Sequence, residues 1–392
     1  KLNYESNVDV KTLTIEDANT TVNGVLKAAA TAITDGKQQA GLTVADDYAS
    51  DNKFVRAAAV SLGDITVGSA ASGATGGTFF TLTNNAENAV EASSLTVVKN
   101  STTANTFALN AGKFSVGKLT NQGKVTLTDG EEFTLTGEGS NASGAAITLA
   151  ASTTDASLVV AEGASLQNQG SITAADDQGK IYVGGTLTNA PAVTGTSPVA
   201  AGTIKAAAVE VDGVLSTALD TASATDKVYD VANTTINTAG ELQTSLNARL
   251  DGAAVADQKP ADALEITNTI DLAGKITAAG AEVQNYIVAA GGTFNLNSDK
   301  TFDTVQVAGT FATNDADVTL SVLDVKDAGT AKVNGGTLNV TTLKTVTEKS
   351  VTVEDGTLAT SLTGLGLEYD ATTKTFGAAT PTTGAGKGAP GA

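Results

Sequence analysis

Short apolar–polar–apolar triplets recur along most of the chain. Val125-Thr126-Leu127, Phe133-Thr134-Leu135 and Val305-Gln306-Val307 are examples. Each triplet places two apolar side chains on one face of an extended strand and a polar side chain on the other face. This period of two is typical of a half-buried β-strand. The pattern therefore predicts an all-β protein that is built from short strands.

Many junctions between these strands consist of glycine, then Thr or Ser, then an apolar residue. They begin at Gly77, Gly170, Gly185, Gly202, Gly292, Gly309, Gly336 and Gly356. The spacing is 17 residues from Gly185 to Gly202 and 20 residues from Gly336 to Gly356. A repeat of about 20 residues, with a glycine that turns each corner at positive φ, predicts the coils of a parallel β-helix (β-solenoid). Tandem β-sandwich domains are the alternative, because the hairpins of a sandwich also alternate.

The segment from Thr238 to Gly252 breaks this rhythm. Leu242, Leu246 and Leu250 recur every four residues, so they would share one face of a helix. Thr238 can cap the start of such a helix, and Gly252 can end it. The spacing therefore predicts a short amphipathic helix over residues 239–251, which would cap a solenoid core.

This change of pattern divides the chain. We expect an N-terminal β-rich, solenoid-like region over residues 1–231, and a second β-solenoid region over 232–376 that begins with the capping helix. Residues 377–392 are rich in Gly, Ala and Pro and are typical of a tail or linker. The predicted fold is all-β and elongated, with a parallel β-helix in each main region.

The composition removes whole classes of chemistry. Cys, Met, Trp and His are absent from all 392 residues. Without Cys there is no disulfide, and without His there is neither a Ser-His-Asp triad nor the commonest metal ligand. The 42 acidic residues outnumber the 23 basic residues, and the net charge of -19 disfavours nucleic acid and anionic lipid as partners. We therefore expect a structural protein rather than an enzyme.

The same features favour a location outside the cell. A chain without thiol or imidazole groups offers oxidants and transition metals few targets. No run approaches the ~20 apolar residues of a transmembrane helix. The sequence starts at Lys1 and contains no Met, so we expect a processed chain or a fragment of a larger gene product. These features predict an extracellular protein at the cell surface.

Two resemblances to known families agree with this location. The stretch from Glu241-Leu242-Gln243 to Ile270-Asp271-Leu272-Ala273-Gly274, with the Gly-Thr-apolar turns that follow as far as Leu358, resembles the β-helical passenger domains of bacterial autotransporters and related surface adhesins. The whole composition is acidic, free of sulfur and rich in Thr, Ala, Val, Asn and Gly, and it resembles that of bacterial surface-layer (S-layer) proteins. The resemblances imply a secreted protein that is displayed on a bacterial surface.

Oxygen-rich turns are the candidate metal site. Asn295, Asn297 and Asp299 alternate along one stretch, and Asp315 and Asp317 alternate along a later one. Carboxylate and amide oxygens suit Ca²⁺, which needs neither nitrogen nor sulfur ligands. Calcium is therefore the candidate cofactor. The alternative is that these residues only form turns.

Three pairs of adjacent carboxylates are the candidates for acid–base chemistry. They are Asp46-Asp47, Glu131-Glu132 and Asp176-Asp177. Neighbouring residues in a strand point to opposite faces, so such a pair serves a single site poorly. We therefore interpret these pairs as solvated turns.

Taken together, these patterns predict a secreted bacterial structural protein that self-assembles into an extracellular layer or fibre, with copies of itself as its partners. The first alternative is an adhesin passenger domain that binds host or cell-surface glycan through exposed loops over 138–157 and 188–201. The second alternative is a β-helical polysaccharide-active enzyme.

Overall fold

A computed structural model describes residues 8–15, 19–22, 25–33, 40–44, 59–68, 77–99, 104–128, 130–149, 157–174, 178–189, 202–225, 227–249, 262–326, 328–345, 350–360, 367–370 and 375–378. Within these ranges every regular element is a β-strand and none is a helix. This confirms the predicted all-β class. Most pairings between strands are parallel, as a β-helix requires.

The strands as far as residue 244 are β1 (Val8–Ile15), β2 (Asn19–Val22), β3 (Val25–Ile33), β4 (Ala40–Val44), β5 (Ala59–Ser61), β6 (Asp64–Val67), β7 (Phe79–Asn84), β8 (Val90–Val97), β9 (Thr106–Ala111), β10 (Lys113–Asn121), β11 (Lys124–Leu127), β12 (Glu132–Asn141), β13 (Ala146–Leu149), β14 (Ser157–Val160), β15 (Ser165–Asn168), β16 (Ser171–Ala174), β17 (Lys180–Val183), β18 (Thr186–Thr188), β19 (Thr203–Val211), β20 (Val214–Ser216), β21 (Tyr229–Ile236) and β22 (Glu241–Thr244).

The strands after residue 244 are β23 (Ala248–Arg249), β24 (Asp262–Ile266), β25 (Thr269–Leu272), β26 (Lys275–Ala278), β27 (Ala281–Glu282), β28 (Asn285–Val288), β29 (Thr293–Leu296), β30 (Lys300–Val307), β31 (Thr310–Asn314), β32 (Val318–Val325), β33 (Thr330–Asn334), β34 (Thr337–Thr345), β35 (Val351–Val353), β36 (Thr357–Thr360), β37 (Leu367–Asp370) and β38 (Thr375–Ala378).

The chain forms two compact units. The first contains residues 1–247 and 268–282, and the second contains 248–267 and 283–392. The boundary expected between residues 231 and 232 falls inside β21, a strand of the first unit.

The first unit is a stack of coils, and each coil contributes a segment to each of three sides. Side A contains 113–116, 132–135, 157–160, 180–183, 208–211, 233–236 and 269–272. Side B contains 64–67, 94–97, 118–121, 138–141, 165–168, 186–188, 214–216, 241–244 and 275–278. Side C contains 79–82, 106–109, 124–127, 146–149, 171–174, 203–206 and 229–231.

Like residues stack on like in the core of this unit. On side C, Phe80 lies opposite Phe107, Phe107 opposite Val125, and Val125 opposite Ile147. All four are buried, whereas the intervening Thr126 points outward and is half-buried. The apolar residues of each triplet therefore face the core and the polar residue faces outward, as the period of two predicts. Each coil buries its apolar residues against the next coil.

The second unit repeats this plan with more even coils. Side D contains 293–296, 310–313, 330–333 and 351–353; side E contains 300–302, 318–320, 338–340 and 357–360; side F contains 264–266, 285–288, 304–307, 322–325 and 342–345. Thr337 lies opposite Thr357, so the 20-residue spacing from Gly336 to Gly356 is one coil. The 17-residue spacing from Gly185 to Gly202 is not a coil, because Thr186 lies on side B and Thr203 on side C.

Corner glycines serve two physical purposes. Gly336 has a φ of 64°, as predicted for a glycine that turns the chain. Gly213, Gly240 and Gly274 do not have positive φ and are needed for close approach. A Cβ atom at Gly213 would lie 2.0 Å from the Gly185 carbonyl oxygen of the preceding coil, and one at Gly274 would lie 2.2 Å from that of Gly240. The expectation of positive φ at every corner was therefore wrong.

The predicted capping helix over 239–251 was also wrong. Residues 241–244 form β22, where Leu242 is fully buried between Leu215 and Ile276 of the adjacent coils. Leu246 is 42% exposed, and Leu250 lies outside the described residues. Burying a leucine between two coils is worth about 2 kcal/mol, more than the weak preference of three spaced leucines for a helix.

The C-terminal strands differ from the coils. β37 and β38 form an antiparallel pair, and β38 also pairs antiparallel with β35 through Thr375 opposite Thr352. Gly377 and Ala378, which were expected to begin the tail, are the last residues of β38, and residues 379–392 lie outside the described part of the chain.

Candidate functional site

The two oxygen-rich turns of the predicted metal site lie at one corner of the second unit. Asn297 and Asp299 follow β29, and Asp317 follows β31 one coil later. The backbone amide of Asp317 donates to Oδ1 of Asp299 at 2.9 Å, and Nδ2 of Asn314 donates to Oδ1 of Asn297 at 2.9 Å. The stacking of coils thus brings the two turns together.

The other two candidate residues of the predicted metal site are Asn295 and Asp315. Asn295 lies within β29 on side D, opposite Ala312, and is half-buried. Asp315 is exposed and has a φ of 55°. A Cβ atom at Gly335 would lie 2.1 Å from Oδ1 of Asp315, and Gly335 has a φ of 114°, a conformation that favours glycine.

These turns are held by protein hydrogen bonds. Nδ2 of Asn334 donates to Oδ1 of Asn314 at 3.1 Å and so continues the bond from Asn314 to Asn297 over a third coil. Among the described residues there is no group of three or more Asp, Glu, His or Cys side chains that could hold a metal ion. Calcium at this corner stays a prediction.

A buried ladder of asparagines runs through the first unit at the end of side B. Nδ2 of Asn121 donates to Oδ1 of Asn141 at 2.8 Å, Asn141 donates to Asn168 at 2.7 Å, and Asn168 donates to Asn189 at 2.6 Å. Asn189 then donates to Oγ1 of Thr217 at 3.0 Å. None of these five side chains is more than 2% exposed.

Each amide of this ladder also bonds the backbone of the next coil. The second donor hydrogen of Asn121, Asn141 and Asn168 goes to the carbonyl oxygens of Ala146, Ser171 and Thr203, at 2.9, 3.0 and 3.2 Å. Both donors and the acceptor are therefore satisfied in a dry core, where an unmade bond would cost about 1–3 kcal/mol. The ladder fixes the register of successive coils.

The sequence does contain a signal for this ladder. Leu119-Thr120-Asn121, Leu166-Gln167-Asn168 and Leu187-Thr188-Asn189 share one pattern. Sequence reasoning missed it because Asn is common in turns, and because the repeats are separated by unequal insertions.

A second buried polar pair joins sides A and C. The hydroxyl groups of Tyr229 and Thr234 are 2.8 Å apart, and both residues are buried. Burial raises the pKa of Tyr229 well above its ordinary value of 10.0, while the hydrogen bond with Thr234 lowers it slightly. Tyr229 is therefore a neutral hydrogen-bonding group at physiological pH.

An ion-pair network crosses the coils on the outside of side B. Nζ of Lys275 lies 2.8 Å from Oε2 of Glu241, and Thr277 and Gln243 donate to Oε1 of Glu241 at 2.8 and 3.1 Å. The hydrogen bond from Lys275 lowers the pKa of Glu241, and partial burial opposes this shift. The network ties β22 to β26.

One of the three carboxylate pairs, Glu131-Glu132, lies among the described residues. Glu132 is solvent-accessible and lies 3.9 Å from Nζ of Lys113, while Glu131 is buried, which corrects its interpretation as a solvated turn residue. Asp46-Asp47 and Asp176-Asp177 lie outside the described residues.

The loops expected for an adhesin are only partly described. Residues 138–141 and 146–149 are strand segments of sides B and C rather than loop. Residues 150–156 and 190–201 lie outside the described part of the chain. One pocket of the first unit, about 350 Å³, is lined by Leu26, Lys27, Val60 and Glu91 among others.

No helix among the described residues is long and apolar enough to cross a membrane. Comparisons with protein-family models, with curated proteins and with solved structures found no match.

Proposed function

We propose that this chain is a secreted bacterial structural protein that self-assembles at the cell surface into an extracellular layer or fibre. The observation that carries the proposal is the stacking itself. Coil binds coil through parallel backbone pairing and in-register side chains, and the final segment of side E, β36, pairs among the described strands only with β34. A strand edge of this kind can bind a strand of another copy.

The side-chain chemistry supports a role in contact rather than reaction. The buried asparagines, the pair of Tyr229 and Thr234 and the network around Glu241 each join one part of the coil stack to another. The net charge of -19 keeps separate copies soluble, and divalent cations or salt would screen it as copies approach.

Sedimentation velocity and negative-stain imaging over a rising protein concentration, with and without Ca²⁺, test the proposal. We expect particles that grow with concentration into fibres or sheets, and we expect Ca²⁺ to promote their growth. Isolated monomers at high concentration under both conditions would rule the proposal out.

A further inference from the structure

We propose that copies assemble head to tail, with β1 of one copy paired in parallel along β35 and β36 of another. This inference rests on the self-assembly proposed above and names the two edges that meet. It follows from a shared sequence pattern, from partly exposed apolar residues at both edges, and from opposite charges at matching corners.

The first strand has the pattern of a coil that would follow the last one. The last coil reads Val351-Thr352-Val353, then a three-residue corner, then Thr357-Leu358-Ala359-Thr360. β1 reads Val8-Asp9-Val10, then Lys11, then Thr12-Leu13-Thr14-Ile15. In one continuous parallel register Val8 and Val10 would align with Val351 and Val353, Lys11 with Glu354, and Ile15 with Leu358, as Leu338 aligns with Leu358 within the second unit.

β1 already behaves as one segment of a stack. It pairs in parallel with β3 from Val8 opposite Leu26 to Ile15 opposite Ile33, and only Lys11 is left out of this register. Among the described strands β1 pairs only with β3, and we assign its other edge to the contact with the next copy.

Both edges leave a leucine partly exposed. Leu338 in β34 is fully buried, but Leu358, which lies opposite it in β36, is half-exposed. Leu13 in β1 is half-exposed as well. Stacking one edge on the other would remove both leucines from water, which favours association.

Charge selects the head-to-tail orientation. Lys11 is exposed at the corner of β1, and Glu354 and Asp355 are exposed at the corner between β35 and β36. Head-to-tail stacking brings the lysine of one copy to the two carboxylates of the next copy. Contacts between two β1 edges, or between two β35–β36 edges, would bring like charges together. A contact between two different surfaces generates an open fibre whenever successive copies do not close into a ring.

The pair of β37 and β38 regulates this contact. β38 pairs antiparallel with β35 through Thr375 opposite Thr352, so it occupies part of the edge that the next copy needs. It must be displaced before β1 can bind there. A substitution that weakens this pairing should therefore promote assembly.

Charge reversal in the full chain tests the orientation. We expect Lys11→Glu alone, and Glu354→Lys with Asp355→Lys, each to weaken self-association roughly three- to tenfold in sedimentation velocity at low salt. An equimolar mixture of the two variants, or all three changes in one chain, should restore it. Lys99→Glu makes the same change of charge at an exposed site away from both edges and should have little effect. Circular dichroism melting confirms that each variant is folded.

Thr375→Pro tests the regulation, because proline cannot donate a backbone hydrogen bond to a neighbouring strand. We expect this variant to associate severalfold more strongly than the unmodified chain. If the unmodified chain assembles and Lys11→Glu assembles equally well, the head-to-tail contact is wrong and self-assembly stands. If the unmodified chain and Thr375→Pro both remain monomeric at every concentration, both proposals fail.

Discussion

At the scale of single residues, this protein uses buried polar groups to set the register of its coils. An apolar core alone would tolerate a slip of one coil against the next, because valine, leucine and isoleucine replace one another readily. An amide ladder does not tolerate such a slip, because Asn141 must donate hydrogen bonds both to Asn168 and to the carbonyl oxygen of Ser171. The asparagines therefore supply specificity that the alternating pattern lacks.

Asn168→Asp tests the ladder. The substitution places a carboxylate against Oδ1 of Asn189 and the carbonyl oxygen of Thr203, where the amide now donates two hydrogen bonds. We expect the free energy of unfolding to fall by about 2–4 kcal/mol at neutral pH, with partial recovery in acid as the carboxylate is protonated.

Gln167→Glu is the matched control, because it makes the same chemical change one residue away on an exposed side chain. Urea denaturation of both variants gives the comparison. Equal losses of stability in Asn168→Asp and Gln167→Glu would contradict a role of the ladder in fixing the register of the coils.

Tyr229→Phe tests the second buried pair through pH. The pKa of Tyr229 is raised in the folded chain, so above about pH 10 the unfolded chain loses this proton first. The stability that Tyr229 contributes is therefore fully present below pH 10. Above pH 10 the free energy of unfolding falls by about 1 kcal/mol per pH unit. We expect Tyr229→Phe to flatten this alkaline loss in thermal melts, although it leaves the Thr234 hydroxyl without its partner at neutral pH.

Tyr182→Phe serves as the control, since Tyr182 is only half-buried on the outside of side A. The same alkaline profile in the unmodified chain and in Tyr229→Phe would contradict the assignment.

At the scale of elements, the corners decide how closely coils stack. Gly185, Gly213, Gly240 and Gly274 follow one another along the corner between sides A and B, and all four would clash with a carbonyl oxygen if they carried a Cβ atom. The corner is thus a row of close backbone contacts.

Gly213→Ala tests this interpretation. A methyl group 2.0 Å from the Gly185 oxygen forces the coils apart, so we expect a loss of more than 2 kcal/mol in chemical denaturation. Gly163→Ala is the control, because its φ of 76° is unfavourable for alanine but its Cβ would meet no atom within 4 Å. It should cost about 1 kcal/mol. A larger loss for Gly163→Ala than for Gly213→Ala would refute the role of close approach.

The sequence predicted strands and coils well, and predicted corners poorly. A period of two depends only on neighbours in the chain, so triplets such as Val125-Thr126-Leu127 identify their strands directly. The helix prediction failed because the burial of Leu242 depends on Leu215 and Ile276, which lie 27 and 34 residues away. The ladder was missed because Asn is common in turns and because unequal insertions separate its asparagines along the chain. The two oxygen-rich turns were identified as residues, but their contact follows only from the coil register.

At the scale of the whole molecule, chain segments at unequal spacings follow one another as consecutive coils. On side B the paired residues Gln167, Thr188, Ser216 and Gln243 are separated by 21, 28 and 27 residues, yet each lies directly opposite the next. Distance in this unit should therefore follow the number of coils and not the number of residues.

Pairs of spin labels measure this directly, because the chain has no native Cys. Thr96→Cys is combined in turn with Thr188→Cys, Ser216→Cys and Gln243→Cys, which lie four, five and six coils away along side B. Pulsed electron–electron double resonance should give distances of about 19, 24 and 29 Å, which is a constant step of about 4.8 Å per coil. Distances that fail to grow in equal steps, as in tandem sandwich domains, would contradict the account.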